Sequence, residues 1–162
     1  MIMQKIKIIA MGKLTEGYTK TASAEFTKRI SRFYQLTVVE PKPELTPSDP
    51  APADIEKALS KEAEKILAEI PPRAAVVAMC VEGKGMSSEK LAEYIRESAV
   101  SGKSEICFII GSSHGLHPSV KQRADIRLSV SAMTFPHELF RVMLLEQIYR
   151  AGEINNGGKY HK

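Results

Sequence analysis

The sequence predicts an α/β fold: a parallel sheet of about five strands with helices on both faces. Short apolar runs alternate with segments whose apolar residues recur every three or four positions, the order of a strand–helix–strand chain. The runs are apolar throughout rather than alternately apolar and polar, as expected of parallel strands covered on both faces. A chain of 162 residues, 43% hydrophobic and 26% charged, has the length and composition of one globular domain spanning residues 1–162.

The first strand is Ile6 to Met11, stopped by Gly12, and Tyr18, Ala22, Phe26, Ile30 and Phe33 then form the stripe of an amphipathic helix. Leu36 to Val39 is the second strand. Five of the nine prolines fall between Pro41 and Pro52, which makes that segment a surface loop. Asp54 can cap the next helix, whose apolar face runs from Ile55 to Ile70 before Pro71 and Pro72 end it. Ala75 to Val81 is a third strand leading into Glu82-Gly83-Lys84-Gly85, and Ser87 or Ser88 caps a helix carrying Leu91, Tyr94, Ile95 and Ala99. Ile106 to Ile110 is the fourth strand, Ser119 to Ala124 a short helix, and Ile126 to Val130 the fifth strand. Pro136 belongs to the first turn of a last helix reaching about Ala151. That helix is apolar nearly all round, from Leu139 to Tyr149, so it must be buried on more than one side. A homodimer interface explains this, and a helix threaded through the domain centre is the plainer alternative.

No apolar run approaches the roughly 20 residues of a membrane span, and Lys5 and Lys7 break up the N-terminal apolar stretch where a signal peptide would need a core. Cys80 and Cys107 lie alone inside apolar runs, as buried strand residues rather than a disulfide. These features predict a cytoplasmic protein. The net charge of +4 is compatible with a polyanionic partner and, equally, with an ordinary solvated surface.

Ligands of parallel sheets bind at the carboxyl ends of the strands, which directs attention to Glu82–Met86, Gly111–Leu116 and Ser131–Phe135. No GxGxxG or GxxxxGK[ST] pattern is present, so ordinary dinucleotide and ATP sites lose support. Gly111-Ser112-Ser113-His114-Gly115 matches the GxSxG of serine hydrolases, with Asp125 and His137 following in the expected order. Only 24 residues separate Ser113 from His137, a short span for that scaffold, so a small serine hydrolase is the second reading. His114 and His117 lack companion ligands, and no metal is expected. A nucleotide- or RNA-binding module without catalysis is the third reading.

The segments KIIAMGKL, VEGKGMSSEKLA, CFIIGSSHGLH, LSVSAMTFPHELFRVMLLEQIYRA and the terminal YHK, in that order along the chain, resemble the RlmH family. Its members are SPOUT-class methyltransferases that act on N3 of a pseudouridine in large-subunit (23S) ribosomal RNA. The resemblance implies a C-terminal trefoil knot, a homodimer, and an S-adenosylmethionine site at Met79, Gly111, Val130, Ser131, Ala132, Met133, Thr134 and Phe135. It implies ribosomal RNA in the ribosome as the partner. For the environment of the reacting base the candidates are Arg150, Tyr160, His161, His137 and Arg141, with no general base assigned. Arg141 and Arg150 can also be read as ion-pair partners of Glu138 and Glu146 on neighbouring turns. The sequence departs from the family pattern at Ser112, His114 and Lys159.

Overall fold

The structure, a computed structural model, describes residues 2–162. Its elements are β1 (Gln4–Ala10), α1 (Gly17–Ile30), β2 (Tyr34–Val39), α2 (Pro52–Ala68), β3 (Ala75–Lys84), α3 (Ser88–Val100), β4 (Ile106–Ile110), α4 (Pro118–Arg123), β5 (Ile126–Leu128) and α5 (His137–Asn155). All five strands are parallel, in the order β2-β1-β4-β3-β5.

Side chains alternate across a strand, and here both sets are apolar. Ile6, Ile8 and Ala10 join α1, α3 and α5 in one core, while Ile9 and Met11 join α2 and α4 in the other. That two-sided burial is why the strands read as continuous apolar runs. Among the described residues no helix is long and apolar enough to cross a membrane.

Several boundaries differ from the sequence reading, each for a physical reason. Of the predicted stripe, Ile30, Phe26 and Phe33 pack on the core, whereas Tyr18 is 61% exposed; Thr19, which is buried in its stead, donates its hydroxyl to Glu138 at 2.9 Å. Asp54 is not the N-cap of α2. It sits three residues in and accepts the Ala51 amide at 2.9 Å, half of a capping box. Ser87 caps α3, accepting the Lys90 amide at 3.1 Å. β3 continues to Lys84, because it pairs with β5 again after a register shift between Met79 and Lys84. A Cβ at Gly83 would lie 2.7 Å from the Arg127 backbone, so glycine permits this close approach. β5 ends at Leu128, two residues early, and Val130 turns out of the sheet.

α5 starts after Pro136, its N-cap, and runs four residues past Ala151. Packed between α1 and α3 on the sheet, it buries Leu144, Leu145, Ile148 and Tyr149 within the chain. Most of its all-round apolar surface is therefore accounted for by the chain's own core. Leu139, Val142 and Met143 remain half-buried.

Cys107 is buried in β4, where loss of hydration pushes its thiol up to about 12. Cys80 is only half-buried, at the end of the apolar part of β3.

Candidate functional site

The carboxyl ends of β3, β4 and β5 enclose a cavity of about 530 Å³. Met79, Ile110 and Leu128 form its floor, the Gly111–Gly115 loop one wall, and Ser129 to Phe135 the other. Of the eight residues expected to hold the cofactor, Met79, Gly111, Val130, Ser131, Met133, Thr134 and Phe135 line this cavity. Ala132 belongs to the same wall without facing the space. Leu116, at the end of the second of the three loops singled out, lines it too, and Cys80, Ser129 and Phe140 also line it and were not expected. Their signal in the sequence was position alone, next to strand ends and at the first turn of the last helix.

The second wall is irregular backbone held by its own serines. Ser129 Oγ donates to the Ser131 carbonyl at 3.0 Å, and the Met133 amide donates to Ser131 Oγ at 3.0 Å. Among the described residues the amides of Val130, Ala132, Thr134 and Phe135 meet no backbone acceptor. An apolar cavity of this size, edged by unpaired backbone groups, suits a nucleoside-sized ligand. On the opposite wall, a Cβ at Gly111 would lie 2.3 Å from the Gly115 carbonyl oxygen, and Gly115 has φ +88°. Both positions need glycine for the turn to close.

The hydrolase arrangement is not assembled. Asp125 Oδ2 accepts the Val76 amide at 2.8 Å, and the Asp125 amide donates to the Val76 carbonyl at 2.9 Å. This pins Asp125 near the amino end of β3, at the far end of the sheet from Ser113. His137 lines the cavity with Ser113, but no hydrogen bond joins them among the described residues. His117 caps α4 through its Nδ1, which accepts the Ser119 amide at 3.1 Å, and its Nε2 pairs with Glu56 at 2.9 Å. His114 reaches Thr46 at 3.5 Å. Among the described residues no three His, Cys, Asp or Glu side chains cluster as a metal site would require.

Arg150, Tyr160 and His161 come together on the outer turns of α5. The Arg150 guanidinium lies 4.7 Å from the Tyr160 ring centroid and pairs with Glu146, which also accepts the Tyr160 hydroxyl at 2.9 Å. Arg150 also bonds His161 Nδ1 at 3.1 Å, and His161 Nε2 meets Glu89 at 2.8 Å. An arginine only donates, so Nδ1 is the acceptor and Nε2 carries the proton offered to Glu89. The bond to Glu146 raises the Arg150 pKa further. Burial, then the same carboxylate, raises that of Tyr160, which keeps its proton at neutral pH. The tail is also better anchored than its Asn155–Gly158 lead-in suggests. Asn155 donates to the Ala92 carbonyl at 2.9 Å, and the Tyr160 ring meets Tyr149 edge-on at 4.8 Å.

Arg141 is placed elsewhere. It is 4% exposed, bonded to Glu40 at 2.5 Å and to the Gly12 carbonyl at 2.7 Å, and so ties α5 to the ends of β1 and β2. Its expected partner Glu138 instead accepts the Thr15 amide at 2.8 Å and the Thr15 hydroxyl at 2.7 Å. Those bonds draw the Glu138 carboxyl down to about 2. A depressed folded pKa stabilises above the ordinary value and is lost as pH falls through the folded one. Wild type should therefore exceed Glu138→Gln in melting temperature at pH 7, and the gap should close between about pH 4.5 and pH 2. Thermal melts across that range check it; a gap independent of pH would contradict it.

A family model described as predicted SPOUT methyltransferase matches residues 4–161. The ribosomal RNA large subunit methyltransferase H of Carboxydothermus hydrogenoformans is 47% identical over 158 residues, covering 98% of this chain and 99% of that protein. The protein of the same name from Clostridioides difficile is 47% identical over 157 residues, covering 97% of this chain and 99% of its own length. In fold, the chain resembles a probable methylase family protein of Haemophilus influenzae, with a TM-score of 0.56 at 16% identity, over 99% of this chain and 72% of that one. A probable methyltransferase of Bordetella pertussis gives 0.54 at 13% identity, over 92% and 94%. With a match over nearly its whole length and relatives close to half identical, the chain belongs to the SPOUT methyltransferases, in the large-subunit methyltransferase H family.

Proposed function

We propose that this chain, as one domain, transfers a methyl group from S-adenosylmethionine to N3 of a pseudouridine in 23S ribosomal RNA, on assembled ribosomes in the cytoplasm. The observation that carries this reading is the cavity at the ends of β3, β4 and β5, lined by Met79, Gly111 and the Val130–Phe135 segment. When bound there, the cofactor supplies a methyl group already made electrophilic by its sulfonium.

The chain's own residues must bind and orient the nucleoside and favour loss of the N3 proton. Arg150 is the cation suited to favour the N3 anion, since a nearby positive charge stabilises any ionised acid. The Tyr160 ring offers a base a stacking surface, and Lys159 and Lys162 can meet phosphates. His161 cannot take a proton while Arg150 occupies its Nδ1 and Nε2 is protonated, so base catalysis by this group requires that bond to open. His137, facing the cavity, is the other imidazole close to the cofactor's place.

The trefoil knot belongs to the same reading. It is supported by the way the chain leaves β5, turns through Val130–Phe135 and returns between α1 and α3 as α5. So does a homodimer. Val142 and Met143 line, with Val130, Met86 and Phe26, a second groove of about 500 Å³, an apolar face of the kind that marks an interface. Leu145 is 1% exposed and serves the chain's own core, so a charge there tests folding; Met143 tests association. Met143→Glu is expected to sediment as a folded monomer where wild type sediments as a dimer at micromolar concentration. A monomeric wild type would overturn the dimer.

The function is tested by incubating the protein with labelled S-adenosylmethionine and ribosomes lacking the modification, then analysing nucleosides. Label in a methylated pseudouridine is expected. Label confined to another nucleoside, or none, would overturn the assignment.

A further inference from the structure

Glu62 is the most deeply buried carboxylate among the described residues, 3% exposed on the inner face of α2, and no ion pair among them includes it. A buried carboxylate loses hydration that neutral donors only partly replace. An apolar residue would fill the same place beside Ala58, Ala63 and Ile66 without that cost. What the carboxylate does instead is join two loops. Oε1 accepts the Ser112 hydroxyl at 2.7 Å, and Oε2 accepts the Glu44 amide at 3.0 Å. Ser112 opens the turn in which its carbonyl accepts the Gly115 amide at 2.9 Å, and Gly111, next to it, forms the cavity wall. Glu44 lies in the proline-rich loop, further tied to α2 by its own ion pair with Lys65 at 2.8 Å.

We infer that Glu62 is a positioning residue for the cofactor: its bond to Ser112 holds the Gly111–Gly115 turn in the shape that the cofactor needs. This rests on the cofactor site proposed above. α2 is a rigid anchor, since Ala63 and Ile66 pack into the core against β1, β3 and β4. The turn itself is short, with exposed residues at its tip, Ser113 to Gly115. Without the bond the turn samples other shapes, and the apparent affinity falls by the fraction of time the competent one is present. A turn that is competent for about a tenth of the time binds about tenfold more weakly.

The test compares wild type, Ser112→Ala, Ser112→Thr, Glu62→Leu and the Glu62→Leu/Ser112→Ala double variant. Calorimetric titration with S-adenosylmethionine is paired with steady-state methyl transfer to ribosomes. Ser112→Ala and Glu62→Leu, which each remove one side of the bond, are each expected to raise Kd and KM for the cofactor by about tenfold. kcat at saturating cofactor should fall by less than about twofold, with KM for ribosomes unchanged. Ser112→Thr, which keeps the hydroxyl, should recover most of the affinity, and the double variant should bind no more weakly than the weaker single one. Ser112→Ala changes only a half-buried loop side chain, so it remains informative even if Glu62→Leu fails to fold. Wild-type affinity in Ser112→Ala would overturn the inference, as would additive losses or a defect in kcat or ribosome KM instead. A wild type that does not bind S-adenosylmethionine would overturn the proposed cofactor site and the inference together. A wild type that binds, with variants that bind equally well, would overturn the inference alone.

Discussion

Deleting Lys159 to Lys162 is expected to lower methyl transfer to ribosomes by about a hundredfold or more, the range associated with losing a group that acts on the proton in transit. The deletion removes Tyr160 and His161, and leaves Arg150 without the ring and imidazole that hold it. Cofactor affinity should change little, because none of the deleted residues lines the cavity at the ends of β3, β4 and β5. Stability should fall measurably. The edge-on pair with Tyr149 and the hydroxyl bond to Glu146 together contribute about 2 kcal/mol. In a chain of this size that lowers Tm by roughly 4–8 °C. Calorimetry, cofactor titration and single-turnover transfer separate the three quantities. Since phosphate contacts release counterions, ribosome affinity of the intact protein should also fall more steeply with salt than that of the truncated one. A truncated protein that methylates ribosomes at the wild-type rate would remove the tail from the reaction and direct attention to His137.

Gly111→Val should abolish measurable cofactor binding, weakening it by about a hundredfold or more. The new Cβ would sit 2.3 Å from the Gly115 carbonyl oxygen, 2.7 Å from its carbon and 3.0 Å from Leu116 Cδ2. The first two contacts are with backbone, so the clash cannot be relieved by turning a side chain. The turn must open, and Gly111 is part of the cavity wall. Circular dichroism checks the fold and calorimetry the affinity. A folded Gly111→Val that binds S-adenosylmethionine like wild type would show that this wall does not contact the cofactor.

Residues of the candidate site were legible in the sequence to different degrees. The cavity could be placed because in a parallel sheet the loops at the carboxyl ends of the strands converge, and those loops are short and close to their strands in sequence. Arg150 is legible only in part: its pairing with Glu146, one helical turn away, follows from spacing. Tyr160 and His161 reach it from the tail and His161 is held by Glu89 of α3, and no local pattern links α3 to the tail. Arg141 was read against Glu138, one helical turn away. Its actual partner Glu40 is 101 residues distant. The GxSxG string shows the same limit. Local order supplied a serine, an aspartate and a histidine, but β3–β5 pairing takes Asp125 to the other end of the sheet.

By itself the sequence determined the five parallel strands, the helices between them and the strand-end loops that carry the cavity, because periodicity and turn chemistry act over a few residues. Its long ordered motifs also determined the family. Only the tertiary structure decided that α5 is covered mostly by its own chain, that Glu62 reaches the Gly111–Gly115 turn, and that the tail folds back onto Arg150. The first two depend on groups far apart in the chain and the third on Glu89 of α3, which holds His161 from 72 residues away; packing brings them together, and a continuous apolar run or an isolated charge carries no information about its partner. The physical difference is one of range: helix and strand preferences are local, whereas the pairing of a buried charge is settled by whichever donors the completed core leaves within about 3 Å of it.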